Sequence, residues 1–215
     1  MILAGKPLIV HTIDQAIESE LFEAIAVSSD SDEILSLSEA AGAIPIERPA
    51  ALATDNAAKL PAIKHCVEAL EAILSQSCSL AVDLDATSPL RSIKDIIACV
   101  ALVTSGEAEN VITASPARRS PYFNMVELDD ENCPRLIKTL PQALARRQDA
   151  PACFDMNASI YVWRRHALFR TNSLFTDTTR LHVMPEERSI DIDSPLDLDI
   201  VRMLMERRTQ NSSVA

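Results

Sequence analysis

Only three glycines, Gly5, Gly42 and Gly106, stand in 215 residues, where average usage would supply about fifteen. A phosphate cradle of the G-x-G-x-x-G or Walker type needs glycines close together, so neither is present. Basic residues are also short. Against 31 Asp and Glu there are 20 Lys and Arg, a formal net charge of −11, which argues against a nucleic-acid partner because polyanion binding needs a basic face. No run approaches eighteen uncharged apolar residues, so no membrane span is expected. The opening MILAGKPLIV has neither a basic n-region nor a small-residue cleavage site, which points to the cytoplasm. The five cysteines, Cys66, Cys78, Cys99, Cys133 and Cys153, lack C-x-x-C spacing and argue against both a disulfide framework and a zinc site.

What is present is a chain with 47% apolar residues, enough for one soluble domain with a sizeable core. Apolar runs alternate with helical patterns. PLIVHTIDQAIESE reads as a helix from Pro7, AIAVSSD as a short strand, and SDEILSLSEAAG as a helix that starts on a capping serine and stops at Gly42. KLPAIKHCVEALEAILSQ and SIKDIIACVALVTSG are helices, while SLAVDLDATSPL and NVITASPA are strands. The alternation predicts a parallel sheet covered by helices, a three-layer α/β domain over residues 1–215. Between about Pro116 and Trp163 the pattern breaks into strand-like PYFNMVELDD and ASIYVWRR, with PQALARR as the one helical stretch. Residues 116–163 are therefore expected to form an antiparallel arm that buries its faces against a second subunit.

Acids carry the chemical signal. In RSIDIDSPLDLDI, strand alternation puts Ile190 and Ile192 on one face and Asp191 and Asp193 on the other. Two adjacent carboxylates repel unless solvated or bridged by a cation, and magnesium, which takes one or two protein carboxylates and completes its shell with water and phosphates, suits the pair. Ser194, Pro195 and Asp197 are explained by capping the helix that follows. In VDLDATSPLR, Asp83 and Asp85 alternate in the same way, Thr87 and Ser88 supply hydroxyls, and Arg91 lies beyond Pro89. A haloacid-dehalogenase phosphatase, whose D-x-D-x-T begins with the nucleophile, is a rival reading. Arg147 is suited to clamping a carboxylate and Asn157 to orienting a polyhydroxylated ligand, while Arg48 and Lys59 flank a turn-rich stretch able to face phosphates.

Taken in order, LAGKPLI, SSDSDEI, ERPAALATD, TSPLR, RRQDAP, NASIYV and MPEERSIDIDSPLDL resemble the acylneuraminate cytidylyltransferases across essentially the whole chain. NAAKLPAI, DLDATSPLR, ASPARRSPYFNMVE and CFDMNASIYVW are more similar to the branch acting on legionaminic acid derivatives. The resemblance implies a three-layer α/β/α nucleotide-diphospho-sugar transferase fold, Rossmann-like, with an antiparallel dimerisation arm that swaps into the partner's site. It implies a homodimer using CTP and Mg2+ to activate a nine-carbon keto sugar acid as its CMP-sugar, with release of pyrophosphate, in the biosynthesis of cell-surface polysaccharide. Asp191 and Asp193 match the metal-binding pair and Arg48 a nucleotide contact. Arg147, Asn157, Tyr161 and Phe175 match positions lining the sugar pocket, and Thr87, Ser88, Arg118, Arg119, Tyr122 and Asn124 are expected on the substrate side. Asp191, Asp193 and Arg147 are the expected catalytic set.

Departures from the pattern carry expectations of their own. Asp85 stands where sialic acid enzymes have Gln, which makes it a candidate third metal ligand; Lys59 stands where a serine is usual, a candidate phosphate contact; Asp155 replaces an arginine. The family opens with a strand and a loop of the type ARGGSKG that binds CTP, and the numbered chain starts beyond it. On that basis the chain as numbered is expected to leave strands unpaired and to make no CMP-sugar. A sugar-acid-binding dimer without catalysis is the alternative reading.

Overall fold

The computed structural model describes residues 1–54, 56–140, 146 and 149–212. The chain enters through a two-stranded hairpin, β1 (Ile2–Leu3) and β2 (Lys6–Pro7), and turns into α1 (Leu8–Glu18). Pro7 occupies the N-cap of α1, where its missing N–H costs nothing. Next come β3 (Ala26–Ser29), α2 (Asp32–Ala40) and β4 (Ile44–Glu47), with β3 and β4 parallel. Ser31 caps α2, its hydroxyl accepting from the Ile34 amide, and Gly42 takes the left-handed turn after it at φ +93°.

After α3 (Lys59–Leu74) the main sheet begins with β5 (Leu80–Leu84). Its other members are β6 (Asn110–Pro116), β9 (Phe154–Met156), β10 (Ile160–Arg164) and β11 (Thr179–Val183). The order is β11-β6-β10-β5, with β9 also on β6. Strand β10 runs antiparallel to both its neighbours, whereas β11 is parallel to β6. The sheet is thus mixed rather than all parallel. The expected arm is correspondingly shorter, because Ile160, Val162 and Trp163 are fully buried in mid-sheet. What projects is the hairpin of β7 (Val126–Leu128) and β8 (Pro134–Leu136). The helix expected over PQALARR falls largely outside the described residues.

Helices cover both faces. On one, α4 (Ile93–Thr104) sends Ile96, Cys99 and Val103 onto Val111, Ile160 and Val162. On the other, Leu60 and Ile63 of α3 and Leu168 of α5 (Arg165–Arg170) meet Ala81, Ile112, Tyr161 and Trp163. Strict alternation along β5 and β10 therefore divides each strand between two cores, the three-layer arrangement expected. The last helix, α6 (Pro195–Ser212), closes a third cluster through Val201 against Leu3 and Leu90, with Ile190 and Ile192 packed on it.

Ile190–Asp193 does not form a strand. Its recorded tie to the β5 loop is the Ile192 amide, which donates to the Thr87 carbonyl at 2.9 Å. The alternation nonetheless survives, since both isoleucines face the apolar cluster. Between β3 and β5 no ladder forms among the described residues, and a cleft of about 980 Å3 separates them. Residues 24–28 and 80–86 line its two sides, and α1, α3 and α4 contribute to its walls.

Candidate active site

Ligands of open α/β sheets bind beyond the carboxyl ends of strands. Here the C-terminal ends of β3 and β5 share one cleft, and Arg48, Lys59, Asp83 and Asp85 all line it. Its size falls in the range of small-molecule sites. Arg48 follows β4 and is held by β3: Nε donates to the Ser28 hydroxyl at 3.2 Å and Nη2 to the Ser28 carbonyl at 2.5 Å.

Lys59 opens α3 and reaches across to β5. Its Nζ lies 2.9 Å from Asp83 Oδ2 and 2.7 Å from Asp85 Oδ2, and 5.0 Å from the centre of the Tyr161 ring. Burial works against the ammonium, but the two carboxylates outweigh it and hold the Lys59 pKa up at about 12. Asp85 is also opposed by burial, yet Lys59 and Thr87 bring its pKa below the ordinary value. Thr87 donates to Asp85 Oδ1 from both its amide (3.0 Å) and its hydroxyl (2.8 Å). Behind them Arg91, 1% exposed, donates from Nη2 to the Asp85 carbonyl and from Nε to the Ser159 hydroxyl. Burial draws its pKa down to about 10, so it remains a cation at neutral pH.

Asp191 behaves oppositely to Asp85. Burial raises its pKa, and the charges of Asp193, Asp85 and Asp197 push the same way. An acid pair whose strongest charged neighbours are all negative fits a divalent cation held by oxygen ligands, with water and phosphate filling the rest of the shell. Among the described residues, no three acidic, His or Cys side chains converge as metal ligands. The expected three-ligand set of Asp85, Asp191 and Asp193 is therefore not assembled in this arrangement.

Among the described residues, Thr87, Asp191 and Asp193 are not part of the cleft lining, and neither are the remaining residues expected at the site. Asn157 is buried, its amide oxygen accepting from the Thr113 hydroxyl (2.7 Å) and the Ser159 amide (3.2 Å). Ser88 is buried and donates to the Asn157 carbonyl at 3.4 Å. Tyr161 sits opposite Asp83 in the β10–β5 register, its phenol pushed up by burial. Arg118 pairs with Glu186 at 3.3 Å, Asn124 accepts from the Ser120 amide at 2.7 Å, and Tyr122 stacks with Lys138. Arg119 and Phe175 are exposed. Arg147 lies outside the described residues.

A second polar cluster had no counterpart in the sequence reading. Asp95, 3% exposed, completes a capping box with Ser92 at the start of α4. It also accepts from Arg188 Nε (2.8 Å) and Nη2 (2.9 Å) and from His182 (3.4 Å). The spacing Ser92-x-x-Asp95 was the available signal.

A family model described as "Cytidylyltransferase" matches residues 2–211. "Post-translational flagellin modification protein B" of Campylobacter coli is 38% identical over 202 residues, which cover 94% of this chain and 85% of that protein. "CMP-N,N'-diacetyllegionaminic acid synthase" of Campylobacter jejuni is 41% identical over 199 residues, covering 92% and 83%. A solved CMP:2-keto-3-deoxy-manno-octonic acid synthetase, complexed with CTP, superposes with a TM-score of 0.66 at 14% identity, over 97% of this chain and 91% of that one. The last likeness shows the shared α/β fold. The phosphatase reading falls here, since the match spans nearly the whole chain and its would-be nucleophile, Asp83, is engaged by Lys59.

Proposed function

The chain belongs to the cytidylyltransferase family, and from that premise we propose that it converts a nine-carbon sialic-type sugar acid and CTP into the CMP-sugar and pyrophosphate. The observation that carries this reading is the 41% identity to a named legionaminate synthase over almost the full chain. In the reaction the anomeric hydroxyl oxygen bonds to the α-phosphorus of CTP, its proton departs, and the bond to the pyrophosphate oxygen breaks. Two anions must meet, so catalysis is mostly positioning and charge compensation. Arg48 and Lys59, fixed at the cleft, are the groups for nucleotide phosphates; Arg147 is assigned to the sugar carboxylate. Asp191 and Asp193 would hold magnesium, which supplies charge stabilisation at the phosphates when bound.

The test is product formation. With a strand and loop of the ARGGSKG type joined ahead of Met1, the protein with CTP, magnesium and N,N'-diacetyllegionaminic acid is expected to give the CMP-sugar by mass spectrometry with equimolar pyrophosphate, and less product with N-acetylneuraminate. Absence of any CMP-sugar with all nine-carbon acids overturns the reading. Calorimetric binding of the sugar acid without product would favour the non-catalytic alternative.

The assembly is a homodimer built through the projecting hairpin. A two-stranded hairpin cannot bury its own faces, and Val126 and Leu128 of β7 are 58% and 63% exposed. Leu136, paired with Val126 across the hairpin, is 37% exposed on the same ladder, and such clustering marks an interface. Sedimentation is expected to give twice the 23.5 kDa chain mass. Leu128→Glu should shift the protein to monomer without lowering its melting temperature by more than a few degrees; a monomeric parent chain refutes the dimer. Among the described residues, no helix is long and apolar enough to cross a membrane.

A further inference from the structure

The chain carries two Asp-x-Asp pairs near one site, and they are neutralised differently. We propose that Lys59 is the resident cation of the Asp83–Asp85 pair, closing that pair to divalent metal. This goes beyond the cytidylyl-transfer reading and does not depend on it.

Lys59 stands between the two acids, hydrogen-bonded to Asp85 and in ion-pair contact with Asp83. Asp83 lies in β5 on the face that carries Ala81 toward α3, and Asp85 follows directly after the strand ends at Leu84. Left bare, they would pose the same like-charge problem as Asp191 and Asp193. Lys59 Nζ instead contacts one oxygen of each, at 2.9 Å and 2.7 Å, with the Tyr161 ring on a further side. Asp85 Oδ1 is filled by the two Thr87 donors. A divalent ion entering this pair would have to displace both the ammonium and the Thr87 contacts.

Charge counting agrees with the contacts. The Arg91 guanidinium is anchored on the Asp85 carbonyl and feels the charges of both Asp85 and Asp83. Lys59 and Arg91 therefore offset much of the charge of the two carboxylates, while Arg91 also feels Asp95 and Asp85 also acts on Asp191. A pair whose charge is already offset by resident cations holds a divalent ion less strongly than a bare pair, because the ion must shed water for a smaller gain in attraction. The Asp191 surroundings are the reverse, with Asp193, Asp85 and Asp197 all acting as negative neighbours.

One more observation points to Lys59 as a fixed part of the cluster. It is the first residue of α3, where the positive end of the helix dipole disfavours a cation. Its contacts with Asp83 and Asp85 offset that penalty. The ammonium is thereby held at the cleft wall shared with Arg48, as a single charge on a defined spot rather than as a mobile surface lysine.

The experiment counts bound Mn2+ per chain, by the electron paramagnetic resonance signal of free Mn2+ during titration, in the parent and in three variants. Lys59→Ser is expected to bind one Mn2+ more than the parent. Lys59→Ser combined with Asp85→Asn should lose that extra ion. Asp85→Asn alone should bind the same number as the parent. An unchanged count in folded Lys59→Ser, or a count lowered by one in Asp85→Asn alone, overturns the proposal. Should Lys59→Ser not fold by circular dichroism, Asp85→Asn alone decides, an unchanged count supporting the proposal and a lowered one refuting it. All readouts are differences from the parent, so they stand whether or not Asp191 and Asp193 carry an ion, and a parent that binds none would instead sink the metal assignment of that second pair.

Discussion

Asp193→Asn is expected to cut turnover at least ~100-fold, equivalent to about 2.7 kcal/mol of transition-state stabilisation. Asparagine keeps the shape and one oxygen but loses the charge that balances a divalent ion. Burial and the charges of Asp193, Asp85 and Asp197 already hold the Asp191 pKa above the ordinary carboxylate value. Removing the Asp193 charge relaxes that repulsion, so the folded protein should be no less stable, and the loss should appear in catalysis rather than in melting temperature. Continuous pyrophosphate release under saturating magnesium measures it. Near-normal turnover would remove Asp193 from the site. If magnesium binding alone is weakened, raising its concentration should restore part of the rate, which separates a ligand role from a purely structural one.

The helices were legible because their signals are local. Ser31 caps where the sequence pattern places it, and Gly42 and Gly106 end their helices at φ +93° and +89°. Sheet direction was not legible. A buried run such as Ile160–Trp163 reads the same whether its neighbours are parallel or antiparallel, and only the long-range pairing with Asp83 and Val111 decides. The same limit explains Ile190–Asp193. Alternation correctly separated its isoleucines from its acids, but alternation says nothing about whether a neighbouring strand exists to pair with it.

Within the candidate site the acids were visible and their partners were not. Asp83, Asp85, Asp191 and Asp193 declare themselves by spacing, yet the lysine that neutralises the first pair sits 26 positions from Asp85. A signal was available: a lysine opening a helix opposes the dipole, and such a local misfit calls for a tertiary partner. Asn157 shows the converse. Its polarity suggests a ligand contact, while the fold buries it and commits its amide oxygen to Thr113 and Ser159. Composition cannot distinguish an amide that orients a substrate from one that braces two strands.

The largest stability effect is expected at Asp95, far from the acid pairs in role. Its carboxylate caps α4, takes both Arg188 nitrogens and meets His182. Burial opposes its charge, yet the bonds from His182, Arg188 and Ser92 outweigh burial and hold its pKa well below the carboxylate range. Asp95→Ala removes the N3 half of the capping box, whose loss is expected to cost about 1 kcal/mol. It also strands Arg188, where breaking a fully buried pair costs about 3 to 5 kcal/mol. Because Arg188 is 30% exposed and can recover some hydration, the second cost is expected at about 2 kcal/mol. A total near 3 kcal/mol corresponds to a melting-temperature drop of roughly 6 to 12 °C for a domain of this size. Asp95→Asn, which keeps an acceptor for the Ser92 amide, should fall between parent and Asp95→Ala. The pH dependence follows from the lowered pKa. The carboxylate's contribution is complete above the unfolded value of about 3.9, and it declines as pH falls from there toward the folded pKa. The gap in melting temperature between parent and Asp95→Ala should therefore narrow below about pH 4. Scanning calorimetry from about pH 5 to pH 2 checks this, and a gap that does not narrow below about pH 4 would show that Asp95 does not act as a charged anchor.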